Sequence, residues 1–213
     1  MSNPPSVLDE VTTGTTIMGV VYNGGVVLGA DSRTSMGSYV ANRVSDKITQ
    51  VSDHILICRS GSAADTQAIA DYVQYFLDHY SSETGRQPLV KIASHMARNI
   101  IYEYKDHLQA ALIVGGVDEN GPSVYSIPLG GALVKQPVAI GGSGSSYIYG
   151  YVDANYRENM SRDEAVDLVT RSVALAMSRD GSSGGIIRIA VITEDSVERF
   201  LLSGREVPRF GDY

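Results

Sequence analysis

The 213-residue sequence predicts an α+β fold of two antiparallel sheets packed face to face, with helices covering their outer sides. Three observations carry that expectation. Strand-like runs follow one another through short turns at the start, middle and end of the chain, which calls for antiparallel pairing. Several of these runs are apolar at successive positions, as strands buried on both faces are. Between them lie three longer segments in which apolar residues recur at helical spacing.

Taken in order, TTIMGVVY and GVVLGAD flank NGG, a strong hairpin signal. KITQVSDHILICRSG reads as a second strand pair turning at Ser52 and Asp53. From Ser62 the period changes: Ala68 with Ile69, Tyr72 with Val73, and Phe76 with Leu77 fall at helical spacing. Ser62 followed by Asp65 is a capping-box start for that helix. A second helix follows Pro88, with a wide apolar stripe running from Leu89 through Ile92, Met96 and Ile100 to Tyr104. ALIVGGVDENGPSVYSIPLGG and LVKQPVAIGGSG return to short strands. A third helix starts at Ser161, boxed by Glu164, and stops at Gly181. GGIIRIAVITEDSVERFLL closes the domain as a hairpin. No repeat, low-complexity tract or linker interrupts this order. Residues 15–213 are therefore expected as one domain behind a polar leader, residues 1–14.

The formal net charge of −7 and the scattered basic residues argue against a nucleic-acid surface. No apolar stretch reaches the roughly 20 residues of a membrane span, and the leader has neither the basic nor the apolar region of a secretory signal. Cys58 has no partner for an internal disulfide, which favours a reducing compartment. Within the apolar run HILIC it reads as a small buried hydrophobe rather than a nucleophile.

Most catalytic motifs are absent. There is no Walker loop, zinc-ligand spacing or GxSxG, and His54, His79, His95 and His107 are dispersed, the last three in expected helices. GGSGS at 141–145 resembles a phosphate loop, but no helix with a lysine follows. A hydroxyl nucleophile without histidine has one known solution, an N-terminal threonine whose own α-amine serves as base. That scheme needs a cut directly before the threonine, and Gly14–Thr15 fits because glycine has no Cβ to hinder attack on its carbonyl. Thr16 would then point to the opposite side of the strand. Threonines that merely favour a strand are the competing reading of the same residues.

Longer segments decide between them. TTIMGVVYNGGVVLGADSRTSMGSYVANRVSDKI, RSGSAADTQAIADYVQ, GSGSSYIYGYVDANYRENMSRDEAVDLV and RDGSSGG closely resemble the proteasome catalytic β-type subunits, in the same order and over nearly all of the chain after residue 14. The resemblance implies the four-layer αββα sandwich of the N-terminal-nucleophile hydrolases. It implies Thr15 as the nucleophile freed by removal of a propeptide, with Asp31 and Lys47 tuning its hydroxyl. It also implies Asp180, Ser183 and Ser143 around the threonine amine, and Gly61 as the oxyanion donor just ahead of a helix N-terminus.

Arg59 falls where the family's pocket for the residue before the scissile bond has its base, with Thr34 and Ala63 as further substrate-binding positions. An arginine there implies cleavage after Asp or Glu, as in the caspase-like subunit. The resemblance further implies other α- and β-type subunits as partners, in stacked seven-membered rings. It implies unfolded polypeptides as substrates, in ATP- and ubiquitin-linked degradation, and a place in cytoplasm and nucleus. No metal, cofactor or nucleic acid is implied. A non-catalytic ring member and another amidohydrolase of the N-terminal-nucleophile type are the alternatives.

Overall fold

A computed structural model describes residues 14–36 and 39–210. The leader expected over 1–14 therefore lies, except for Gly14, outside the described residues. One five-stranded sheet carries β1 (Ile17–Tyr22), β2 (Gly25–Ala30), β10 (Val138–Gly141), β11 (Ile187–Ile192) and β12 (Val197–Leu202), in the order β10-β1-β2-β11-β12. The other carries β5 (Ile48–Ser52), β6 (Ile55–Gly61), β7 (Ala110–Asp118), β8 (Gly121–Ile127) and β9 (Val134–Lys135), in sequence order. Every pairing is antiparallel. Helices α1 (Ala63–Thr84) and α2 (Val90–Glu103) pack on the second sheet, and α3 (Tyr149–Asn155) and α4 (Arg162–Arg179) on the first.

Strand alternation builds the layers. On β2, Val26, Leu28 and Ala30 face a core shared with Leu56 and Cys58 of β6, and Val27 faces the helix side with Leu168, Val169 and Val173. On β6, Ile55 and Ile57 turn the other way, onto Ile69, Val73 and Leu77 of α1. Central strands must be apolar on both faces because each separates two cores. The result is the αββα sandwich that the sequence predicts.

Five local features depart from expectation. The Ser62 cap forms only half of its box. Its side chain accepts from the Asp65 N–H at 3.3 Å, while the short Asp65 carboxylate accepts instead from the Gln109 N–H at 3.1 Å. Helix α4 ends at Arg179, not at a left-handed Gly181, because the backbone turns extended at Asp180, where the carboxylate has other partners. Two elements are new: a small hairpin of β3 (Thr34–Met36) and β4 (Tyr39–Asn42), and the short α3, which follows a 3-10 turn over Ser143–Tyr147. His107 lies beyond the end of α2. The Ser161–Glu164 box closes in both directions, as expected.

Candidate active site

Strand ends gather at one edge of the sandwich, and with them every candidate residue. Thr15 lies two residues ahead of β1, Asp31 follows β2, Lys47 precedes β5, and Arg59 and Gly61 close β6. Ser143 opens the 3-10 turn after β10, while Asp180 and Ser183 occupy the link from α4 to β11.

Lys47 is buried and uses all three of its N–H donors here. Its Nζ lies 2.7 Å from Asp31 Oδ1, 3.0 Å from Thr15 Oγ1 and 3.3 Å from the Gly14 carbonyl oxygen. Burial draws the Lys47 proton affinity below its ordinary value, and the Asp31 charge and hydrogen bond restore part of it. Asp31 is fully buried, and its carboxylate also accepts from the N–H groups of Thr16, Arg33 and Gly184. A buried ion pair so fully satisfied holds the ammonium at one point beside a hydroxyl, where it favours the alkoxide-like state.

The opposite side of Thr15 is a hydroxyl and carboxylate cluster. The Thr15 N–H donates to Ser143 Oγ at 3.1 Å, and Ser143 donates to Asp180 Oδ2 at 2.7 Å. Ser183 donates to the same oxygen at 2.6 Å, and the Ser182 N–H to Oδ1 at 3.0 Å. Burial pushes the Asp180 carboxyl up. The bonds from Ser183, Ser143 and Ser182, with the Lys47 charge, outweigh that and hold it below the usual value.

Gly14 and Thr15 are joined by an intact peptide bond, and the Thr15 hydroxyl donates to the Gly14 carbonyl oxygen at 2.7 Å. Glycine at 14 has a packing reason beyond access to its carbonyl. A Cβ there would sit 1.8 Å from Ser182 Cβ and 2.5 Å from the Ser182 carbonyl oxygen. Gly61 has φ +104°, and a Cβ would lie 2.1 Å from the Gln109 carbonyl oxygen, so no side chain fits where β6 hands over to α1.

A cavity of about 310 Å³ opens beside Thr15, lined by Thr34, Asp46, Lys47, Arg59, Gly61 and Ala63 among others. All three substrate-binding candidates thus border one space with the hydroxyl. Arg59 donates to the Asp46 carbonyl oxygen at 2.8 Å and makes a long contact of 3.5 Å to Thr66 Oγ1. Its Nε is buried without a partner, and no carboxylate pairs with it among the described residues. The nearby Asp46 carboxylate is taken by Arg199 at 2.8 Å. Burial lowers the Arg59 proton affinity, partly offset by Asp46 and Asp71, but guanidinium stays charged at any working pH. The cavity therefore presents an unneutralised cation.

Other nucleophiles are out of play. Cys58 is fully buried between the sheets, and burial pushes its thiol pKa far up. No histidine borders the cavity, and His79 instead pairs with Glu83 on the surface of α1. GGSGS is no phosphate loop: it wraps the threonine, with the Gly144 N–H donating to the Thr15 carbonyl oxygen at 3.2 Å. Thr16 was not among the candidates, yet it touches both arms of the site. The only sequence signal was strand alternation, which turns its side chain away from the cavity.

A sandwich of this layering with a strand-leading threonine at its edge defines the N-terminal-nucleophile hydrolase class. Comparison with known proteins gives the family. The model described as "Proteasome subunit" matches residues 11–192. Proteasome subunit beta type-6 of Dictyostelium discoideum is 52% identical over 211 residues, covering 99% of each chain. Proteasome subunit beta type-1 of Saccharomyces cerevisiae is 55% identical over 193 residues, covering 90% of this chain and 89% of its own. Proteasome subunit beta type-9 of Bos taurus is 52% identical over 204 residues, covering 95% and 93%. The chain belongs to the proteasome subunit family, as a β-type member, and membership implies assembly with other proteasome subunits.

Proposed function

We propose that this chain is a threonine endopeptidase subunit that cleaves peptide bonds after acidic residues, with Thr15 as its nucleophile. The observation that carries the reading is the single buried ammonium of Lys47 held between the Thr15 hydroxyl and the Asp31 carboxylate.

Two stages follow from the chemistry. In the first, Thr15 Oγ adds to the Gly14 carbonyl carbon. The Gly14–Thr15 C–N bond breaks, the hydroxyl proton passes to the departing amine, and water hydrolyses the ester that remains. Residues 1–14 leave as a carboxylic acid and Thr15 gains a free amine. In the second, that amine takes the Oγ proton as Oγ attacks a substrate carbonyl, with the Gly61 N–H as the oxyanion donor. The amine returns the proton to the leaving amine and then guides water onto the acyl ester. Ser143, fixed by Asp180, orients the amine, and Arg59 pairs with a substrate carboxylate in the cavity beside Thr34 and Ala63. The partners are α- and β-type subunits in stacked seven-membered rings, the substrates unfolded polypeptides, and the compartments cytoplasm and nucleus.

The test is a panel of reporter peptides and small amides given to purified particles, with and without Thr15→Ala in this chain. Loss confined to peptides with Asp or Glu before the scissile bond supports the reading. Loss confined to small amides would replace it with an amidase.

Two further results are expected. Gly14→Ala places its Cβ against the Ser182 backbone and displaces the carbonyl from Oγ. Intact mass should then find the leader retained; complete processing would contradict this geometry. The pH profile of post-acidic turnover should be bell-shaped. Its acid limb reports the threonine amine, near ~7.7–8.0 when unperturbed, because the base is lost on protonation. Its alkaline limb reports loss of the Lys47 proton, and since burial lowers that proton affinity the limb should fall below 10.5. A limb at or above 10.5 would mean that the ammonium is not required.

A further inference from the structure

Thr16 is fully buried on the far side of the strand from the cavity, and its hydroxyl lies 2.8 Å from Ser183 Oγ. Proton counting gives that bond a direction. A hydroxyl has one proton to donate and an ionised carboxylate can only accept. Ser183 directs its proton to Asp180 Oδ2 at 2.6 Å, so Thr16 is the donor to Ser183. On the other branch Ser143 gives its proton to the same Asp180 oxygen at 2.7 Å and accepts from Thr15 N at 3.1 Å. The hydroxyls of Thr16 and Ser183 thus run in series into the one carboxylate oxygen that also holds Ser143. Hydrogen bonds in series polarise one another, so the first donor strengthens the second bond.

The cavity around this hydroxyl is close-fitting. A Cβ on Gly144 would lie 2.0 Å from Thr16 Oγ1. The Thr16 backbone serves the other arm: its N–H donates to Asp31 Oδ1 at 2.9 Å, the oxygen that also receives Lys47, and its carbonyl accepts from the Asp31 N–H at 3.1 Å.

We infer that Thr16 is a positioning residue whose hydroxyl, acting through Ser183 and the shared Asp180 oxygen, fixes Ser143 and with it the amine of Thr15. The role rests on the reading of Thr15 as nucleophile. Valine has nearly the shape of threonine but cannot donate, and it leaves the backbone bonds to Asp31 in place, so Thr16→Val isolates the hydroxyl.

In assembled particles Thr16→Val should lower kcat for post-acidic peptides about tenfold, the scale of one hydrogen bond, and leave KM within about twofold. Thr16→Ser should restore kcat. On a Ser183→Ala background Thr16→Val should cause no further loss, because the residue it acts through is gone. An unchanged kcat, or a loss that multiplies in full on Ser183→Ala, would overturn the inference. If Thr16→Val does not assemble, Thr16→Ala against Thr16→Ser carries the same test, and equal kcat values would overturn it. Cleavage that survives Thr15→Ala refutes the nucleophile itself. Cleavage lost with Thr15→Ala but untouched by Thr16→Val refutes only the role of Thr16.

Discussion

Particles carrying Thr15→Ala are expected to assemble and to lose post-acidic cleavage, by a factor on the order of 10⁶ as for removal of other hydroxyl nucleophiles. Thr15 is the one group placed both on the neighbouring carbonyl and on the Lys47 ammonium, so nothing else at the site can take over the attack. Assembly should survive because alanine removes a few atoms and leaves the Lys47–Asp31 pair intact. The leader should also remain attached, since the same hydroxyl is proposed to release it. Replacing Asp31 would be a poorer experiment. It strands a buried ammonium, costs about 3–5 kcal/mol, and confuses folding with chemistry. Post-acidic cleavage that persists in Thr15→Ala particles would remove the basis of the proposed mechanism.

Arg59→Leu is expected to invert the preference of the cavity. Removing a cation that pairs with a partly buried carboxylate costs about 2–5 kcal/mol, so kcat/KM for peptides with Glu before the scissile bond should fall on the order of 10²-fold. An apolar side chain gains about 1–3 kcal/mol in an apolar pocket, so the corresponding Leu peptides should improve about tenfold or more. The prediction rests on the free charge. Asp46, the nearest acid in the lining, is engaged by Arg199 and does not neutralise Arg59. A steady-state comparison of the two peptides decides it, and an unchanged Glu-to-Leu ratio would mean that Arg59 only braces the Asp46 carbonyl.

Much of this architecture was legible because central strands and amphipathic helices write their burial into the sequence. The NGG hairpin pairs Tyr22 with Gly25 across a two-residue turn in which Gly24 takes the positive φ, and Ser161 with Glu164 closes a box that local chemistry alone completes. What escaped lacks such a signature. In β4 only Val40 is even half-buried among exposed neighbours, so no alternation marks a strand. In α3, Val152 is the one buried residue of seven, and Ile148 at its start makes no side-chain cap. Asp65 was misread because a carboxylate one methylene shorter than Glu found a tertiary partner at Gln109.

The candidate site divides in the same way. Gly14–Thr15 could be argued from local chemistry, but Ser143 lies 128 residues from the amide it contacts. No periodicity connects them, and only likeness to a family suggested the pair. Thr16 was invisible as a contributor because its role exists only once Ser183 folds against it.

The central claim is that Thr15 becomes the first residue of the working chain. N-terminal sequencing with intact mass of this subunit, taken from assembled particles, tests it most directly. A chain that begins at Thr15 is the predicted result. A chain that still carries residues ahead of Thr15 in fully assembled particles would contradict it, because the amine base would remain locked in a peptide bond.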